Sequence, residues 1–133
     1  MTTIYSLQFG TDGKWSQGLV QGADGKLYGI TLKEGPLGAG TAFRLNLDGT
    51  QFEKLHDFQA STDGSQPTGF LTEANGFFYG TAWLDGPNAA GTVFKMDAGG
   101  SVSVVHAFSG TDGSGPYGGV IRGSDGDFYG ITL

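Results

Sequence analysis

The sequence predicts an all-β protein built from repeated antiparallel sheets, and three observations predict it. A unit of about fifty residues recurs, clearest from Tyr28 (YGITLKEGPLGAGTAFRLNLDG), again from Tyr79 (YGTAWLDGPNAAGTVFKMDAGG), and beginning a third time at Tyr129. Within each unit, short apolar runs are separated by Asp-Gly, Asn-Gly or Gly-Gly, pairs that accept the positive φ of tight hairpins. No stretch carries the apolar spacing of an amphipathic helix.

Taken in order, residues 2–9 (TTIYSLQF) alternate as a strand and run into Thr11-Asp12-Gly13, which recurs at Thr62-Asp63-Gly64 and Thr111-Asp112-Gly113. Aligned on that tripeptide, Tyr5 falls over His56 and His106, and Leu7 over Phe58 and Phe108. The first strand is thus expected to be the tail of a unit. Strand a is GLVQGA (18–23) and strand b KLYGITL (26–32), joined at Asp24-Gly25; the equivalents join at Asn75-Gly76 and Asp125-Gly126. Strand c is GTAFRLNL (40–47) and GTVFKMDA (91–98), closed by Asp48-Gly49 and Gly99-Gly100. Strand d follows as QFEKLHDF (51–58) and SVSVVHAF (101–108).

Four short antiparallel strands per unit, without helices between them, is the form of a propeller blade. The expected division is a single repeat domain over 1–133, with 1–9 the outer strand of a split blade, 17–58 and 68–108 whole blades, and 118–133 the inner strands of the split blade. A propeller closes with about four to eight blades. The expected architecture is therefore a β-propeller fragment of nearly three four-stranded blades, completed by self-association. Ile4, Tyr5 and Leu7 of one copy would meet Phe128, Tyr129, Ile131 and Leu133 of the next, because an apolar strand edge invites pairing. A homodimer forming a ring of about six blades is favoured, with a trimer of about nine the other option. Strand c is missing from the shared blade, so direct joining would set d beside b in a parallel sense.

Composition limits the partners. Glycine is abundant (26 of 133 residues), but 38% hydrophobic and 13% aromatic residues argue for packed structure. There is no cysteine, hence no disulfide and no thiolate metal site. A net charge of −6 without a basic cluster disfavours nucleic acid as a partner. MTTIYSLQFG lacks the basic and apolar regions of a signal peptide, and no apolar run is long enough for membrane insertion.

The strings YGTAWLDGPNAAGTVFKMDAGG and YGITLKEGPLGAGTAFRLNLDG resemble the GloVer tandem repeat of the bacterial choice-of-anchor tandem repeat proteins. Tyr79-Gly80-Thr81 and Gly91-Thr92-Val93-Phe94-Lys95 carry the resemblance in that family's order. It implies a propeller-like, exported protein of the extracellular space or cell surface, with no enzymatic residues to carry over. The strand layout is also similar to kelch blades, as fold analogy alone.

In a blade, the d-to-a crossings and b-to-c loops share one face, and both are long here. Binding residues are expected there. Asp12, Asp63 and Asp112 would sit in the same crossing of successive blades. A ring of carboxylates suits a hard cation, but Asp-Gly turns account for them without metal, and neither a metal nor a cofactor is expected. His56 and His106 suggest a metal ligand or general base, against the plainer expectation of half-exposed strand histidines. GPLGAGT (35–41) and GPNAAGT (86–92) lack the lysine and helix of a phosphate loop. Trp15, Trp83 and Tyr117, with Asp12, Asp63 and Asp112 of the crossings and Asp85 in the b-to-c loop, are the candidate ligand-binding residues, since aromatic rings beside carboxylates hold sugar faces and peptide anchors. Packing between blades is their simpler role. The channel-facing candidates Gln21, Thr72 and Arg122 are explained by solvation of the channel.

Three functions are consistent with these features: a non-enzymatic binding module that assembles into a closed ring, a structural spacer of a surface protein, and a propeller-hosted hydrolase or lyase. The absence of a nucleophile beside a base sets the last behind the others.

Overall fold

A computed structural model of the chain describes residues 1–133. It contains three antiparallel sheets. The first runs β1 (Lys14–Gln21), β2 (Leu27–Lys33), β3 (Thr41–Leu45), β4 (Glu53–Asp57). One helical turn, α1 (Ala60–Asp63), leads to the second: β5 (Ser65–Ala74), β6 (Phe77–Leu84), β7 (Thr92–Asp97), β8 (Val102–Ala107). The third has two strands, β9 (Tyr117–Arg122) and β10 (Phe128–Ile131). The all-β class and the blade-like meanders match the sequence, and the chain does not close on itself. No helix is long and apolar enough to cross a membrane.

The sheets pack face against face. β1 and β2 meet β5 at a first seam, and β5 and β6 meet β9 at a second. Strand alternation selects what enters each seam: along β7, Thr92, Phe94 and Met96 are buried while Val93, Lys95 and Asp97 are not. The main core fills the first seam with Tyr28, Ile30, Ala42 and Phe58 against Leu71, Phe78, Phe94 and Met96. Each large apolar side chain buried there contributes about 1.5–3 kcal/mol. Tyr28 stacks on Phe78 with ring centroids 4.1 Å apart, and Tyr79 stacks on Phe128 at 4.2 Å. The same contact, one unit on, builds both seams.

Four local features differ from the sequence expectation. Residues 2–9 form no strand. Their ladder partner would be a preceding third strand, and side chains hold the segment instead: Tyr5 stacks on Phe52 at 4.3 Å, and Ile4 packs on Gly49. Leu55 packs on Gly100 in the same manner, so 2–9 does occupy the place of a strand d. Second, strand a begins earlier than residue 18, at Lys14, and bends at an irregularity between Ser16 and Leu19. That puts Trp15 on a strand. The equivalent bend in β5 contains Gly69 (φ 76°), whose missing Cβ lets the Gly118 backbone approach.

Third, only Asn75-Gly76 makes a two-residue hairpin, with φ of 54° and 80°. At the other two a–b turns the glycine alone is left-handed (Gly25 81°, Gly126 89°) and the loop is wider, closed by Gly22 N–H donating to the Lys26 carbonyl at 2.9 Å and Gly123 N–H to that of Asp127 at 2.7 Å. There the Asp24 and Asp125 carboxylates accept the Lys26 and Asp127 amides at 3.1 and 3.0 Å, a local bond that stabilises the wider turn. Fourth, the crossing at Thr62-Asp63 contains the turn of helix α1.

Candidate functional site

The three crossing aspartates and the three residues aligned on strand d meet one another. Tyr5 Oη donates to Asp12 Oδ2 at 2.9 Å, His56 Nε2 lies 2.7 Å from Asp63 Oδ2, and His106 Nε2 lies 2.8 Å from Asp112 Oδ2. Each carboxylate also accepts a backbone amide just after strand d: Gln8 at 2.9 Å, Gln59 at 3.1 Å and Ser109 at 2.8 Å. The backbone completes the tie, because Thr41 Oγ1 donates to the Asp12 carbonyl at 2.6 Å and Thr92 Oγ1 to that of Asp63 at 2.5 Å. Asp63 thus joins β4 of the first sheet to β7 of the second. Asp63 acts as a latch between two sheets, Asp12 ties residues 2–9 to the first sheet in the same way, and the histidines are paired rather than solitary. No group of three or more His, Cys, Asp or Glu side chains is close enough to hold a metal ion.

Electrostatics follows these bonds. Burial first, and then the bond to Asp12, pushes the Tyr5 phenol above its ordinary value. Amide donation from Ser109 holds Asp112 below the usual carboxylate range, aided by the Ser109 hydroxyl and His106. A second pair repeats at the opposite ends of the sheets: Tyr28 Oη donates to Asp24 Oδ2 at 2.7 Å and Tyr129 Oη to Asp125 Oδ2 at 2.5 Å. Asp24 is lowered chiefly by that bond, and Tyr28 is raised by burial and then by the bond.

The candidate aromatics divide between two places. Trp83, half-buried at the end of β6, meets the exposed Tyr117 at the start of β9 edge-on, centroids 6.2 Å apart, across the second seam. Nearby, Asp85 accepts the Ser65 hydroxyl, tying the end of β6 to the start of β5. Trp15 stands apart on β1, 55% exposed, with the ammonium groups of Lys14 and Lys33 4.8 and 5.6 Å from its ring. Its left-handed backbone (φ 59°) is shared by its counterparts Gln66 (54°) and Gly115 (57°). At those counterparts the amide docks on the preceding sheet, Gln66 N–H on the Ala39 carbonyl at 3.0 Å and Gly115 N–H on that of Ala90 at 2.9 Å. Trp15 therefore marks the open first end of the array, beside a shallow hollow shared with Leu7 and Phe9.

At the other end, Tyr129, Ile131 and Leu133 are exposed, whereas Phe128 turns inward onto Tyr79. Ile4 is exposed and Tyr5 and Leu7 are half-buried. Of the channel candidates, Gln21 bonds the Gly25 carbonyl at 3.1 Å, and Thr72 donates across the second seam to the Val120 carbonyl. Sequence reasoning missed the latches and the lysines around Trp15. The latches had a signal in the near-constant distance from Tyr5, His56 and His106 to the following aspartate.

Compared with known families, residues 1–133 match the profile of the Gloeobacter/Verrucomicrobia repeat. No curated protein and no solved structure gives a match.

Proposed function

The chain belongs to the Gloeobacter/Verrucomicrobia repeat family, and from that premise we propose that it is a non-enzymatic propeller module that closes by joining its open ends to another copy. Two copies make a ring of about six blades, inside the range in which propellers close. The loop face of that ring binds a glycan or a peptide.

The observation that carries this reading is the repeated seam. Tyr28 on Phe78 and Tyr79 on Phe128 have interplanar angles of 25° and 28°, so the two seams are built on the same ring contact, as successive blades of one propeller would be. Both terminal faces expose apolar surface, with Phe9 and Trp15 on one and Ile131 and Leu133 on the other, and surface of that kind marks an interaction site. The non-enzymatic part is supported by the latches, where tyrosine replaces histidine at Tyr5. A position that accepts tyrosine with the geometry unchanged serves structure better than proton transfer.

Sedimentation equilibrium across a wide concentration range is the test of closure, with twice the chain mass expected; a strict monomer would overturn it. For the loop face, a glycan and peptide array should give hits that Trp83→Ala abolishes and that a distant change such as Lys54→Ala leaves intact. Silence across the array favours the spacer role.

A further inference from the structure

Phe94 and Met96 are fully buried in the first seam, in one cluster with Ile30, Ala42 and Phe58 of the preceding sheet and Leu71 and Phe78 of their own. One unit on, the counterparts of those five surrounding residues are Thr81, Val93, Phe108, Val120 and Phe128. All five line a single cleft of about 430 Å³ at the second seam. β2 and β6 each pair with a third strand, but β10, the same strand of the last sheet, pairs with β9 alone. The cleft is thus the seat of a third strand's apolar pair, continuous with an interface already built inside the chain. Along it runs an unpaired strand edge.

We infer that this cleft and the β10 edge accept an extended segment of another protein chain, added antiparallel to β10. The segment carries an aromatic residue, then a basic one, then an aliphatic one. The pattern is that of β3 (Phe43-Arg44-Leu45) and β7 (Phe94-Lys95-Met96). Where β6 meets β7, Gly80 faces Phe94 and Phe78 faces Met96, so the aromatic residue falls opposite Gly130 and the aliphatic one opposite Phe128. A Cβ on Gly80 would strike the Phe94 ring, and Gly130 leaves the same room. The basic residue has a partner as well. Lys95 lies 4.9 Å from the Phe77 ring centroid, and the counterpart of Phe77 is Asp127, an exposed carboxylate. Edge hydrogen bonds supply affinity in such strand addition, and the alternate side chains supply specificity. In a folded copy β3 and β7 are each paired on both sides, so the occupant is a segment not already held in a sheet. The inference rests on the reading of the open ends above, but not on closure into a ring.

The probe is a labelled peptide with the sequence of residues 90–98 (AGTVFKMDA), titrated into the full chain at a concentration where it is monomeric. Saturable binding is expected, weakened at least tenfold when the peptide's phenylalanine becomes alanine. Binding should vanish when its phenylalanine and lysine are exchanged, which moves the ring to the opposite face. In the protein, Gly130→Val should abolish binding while circular dichroism stays unchanged, and amide exchange should slow at residues 128–131 of the unaltered chain when peptide is bound. Equal binding of the exchanged peptide, indifference to Gly130→Val in a folded protein, or no binding at millimolar peptide would each overturn the proposal. A chain that stays monomeric yet binds the peptide defeats the ring and leaves the acceptor standing. A dimer whose dissociated form ignores the peptide does the reverse.

Discussion

Asp63, like Asp12, is a residue on which local bonds converge. Its carboxylate takes His56 Nε2 and the Gln59 amide, its backbone carbonyl takes Thr92 Oγ1, and its side chain is 13% exposed. Asp63→Ala removes the acceptor of a part-buried amide bond and of a half-buried imidazole at once, so a loss of about 1–3 kcal/mol is expected, read from urea midpoints. Asp112 makes the same bonds to His106 and Ser109 in the open, where water replaces them, and Asp112→Ala should move the midpoint less. Equal shifts would mean that the latch does not work through burial. The Tyr28–Asp24 pair gives a prediction in pH. Asp24 is lowered in the folded chain, so its stabilisation is present above the unfolded value near 3.9 and is lost as pH falls through the folded one. Tyr28 is raised from 10.0, so its stabilisation holds below that value and is lost as pH rises through the folded one. Tyr28→Phe removes the hydroxyl both effects depend on, and should flatten the acid and the alkaline limbs of a stability profile; unchanged limbs would assign them to other groups.

At the scale of the strand, one aromatic position tests whether the seams are equivalent. Phe94 is fully buried and meets Phe58 edge-on at 5.0 Å, and Phe94→Ala should cost about 3–5 kcal/mol by leaving a cavity. Phe108, the counterpart of Phe58, already faces the open cleft. Phe108→Ala should cost clearly less than Phe58→Ala in the same denaturation experiment, and parity would show the second seam to be as tightly packed as the first. The strands themselves were legible because alternation and Asx-Gly turns are local properties, and β3, β4, β7 and β8 fall within the expected runs. What eluded the sequence depends on a neighbour. Residues 2–9 have the pattern of a strand, but a ladder needs a partner. Asp24-Gly25 and Asn75-Gly76 look alike as dipeptides, yet the carboxylate of Asp24 captures an amide and widens its turn. The candidate site was readable only in part: Trp83 and Tyr117 do meet, whereas Trp15 lies at the far end of the array, a separation fixed by sheet order.

For the molecule as a whole, stability is set by how many seams are complete. An array of repeats gains from each interface between neighbours, and its terminal unit is the weakest. The first seam holds the buried cluster around Phe94 and Met96, while the second lacks that pair. Appending a copy of residues 84–108 after Leu133 would supply the absent third and fourth strands of the last sheet, with their phenylalanine and methionine aimed at the cleft. Burying two such side chains contributes about 3–6 kcal/mol before the entropy of ordering the added segment is subtracted. A net rise in the unfolding midpoint is therefore expected, with slowed amide exchange across residues 117–131 as the local sign that the strands have docked. The appended chain also covers the β10 edge, so any association that uses this edge should weaken as the blade fills. A higher midpoint with unchanged association would place the joining surface at the Trp15 end alone. An unchanged midpoint and fast exchange would show that the second seam does not follow the geometry of the first.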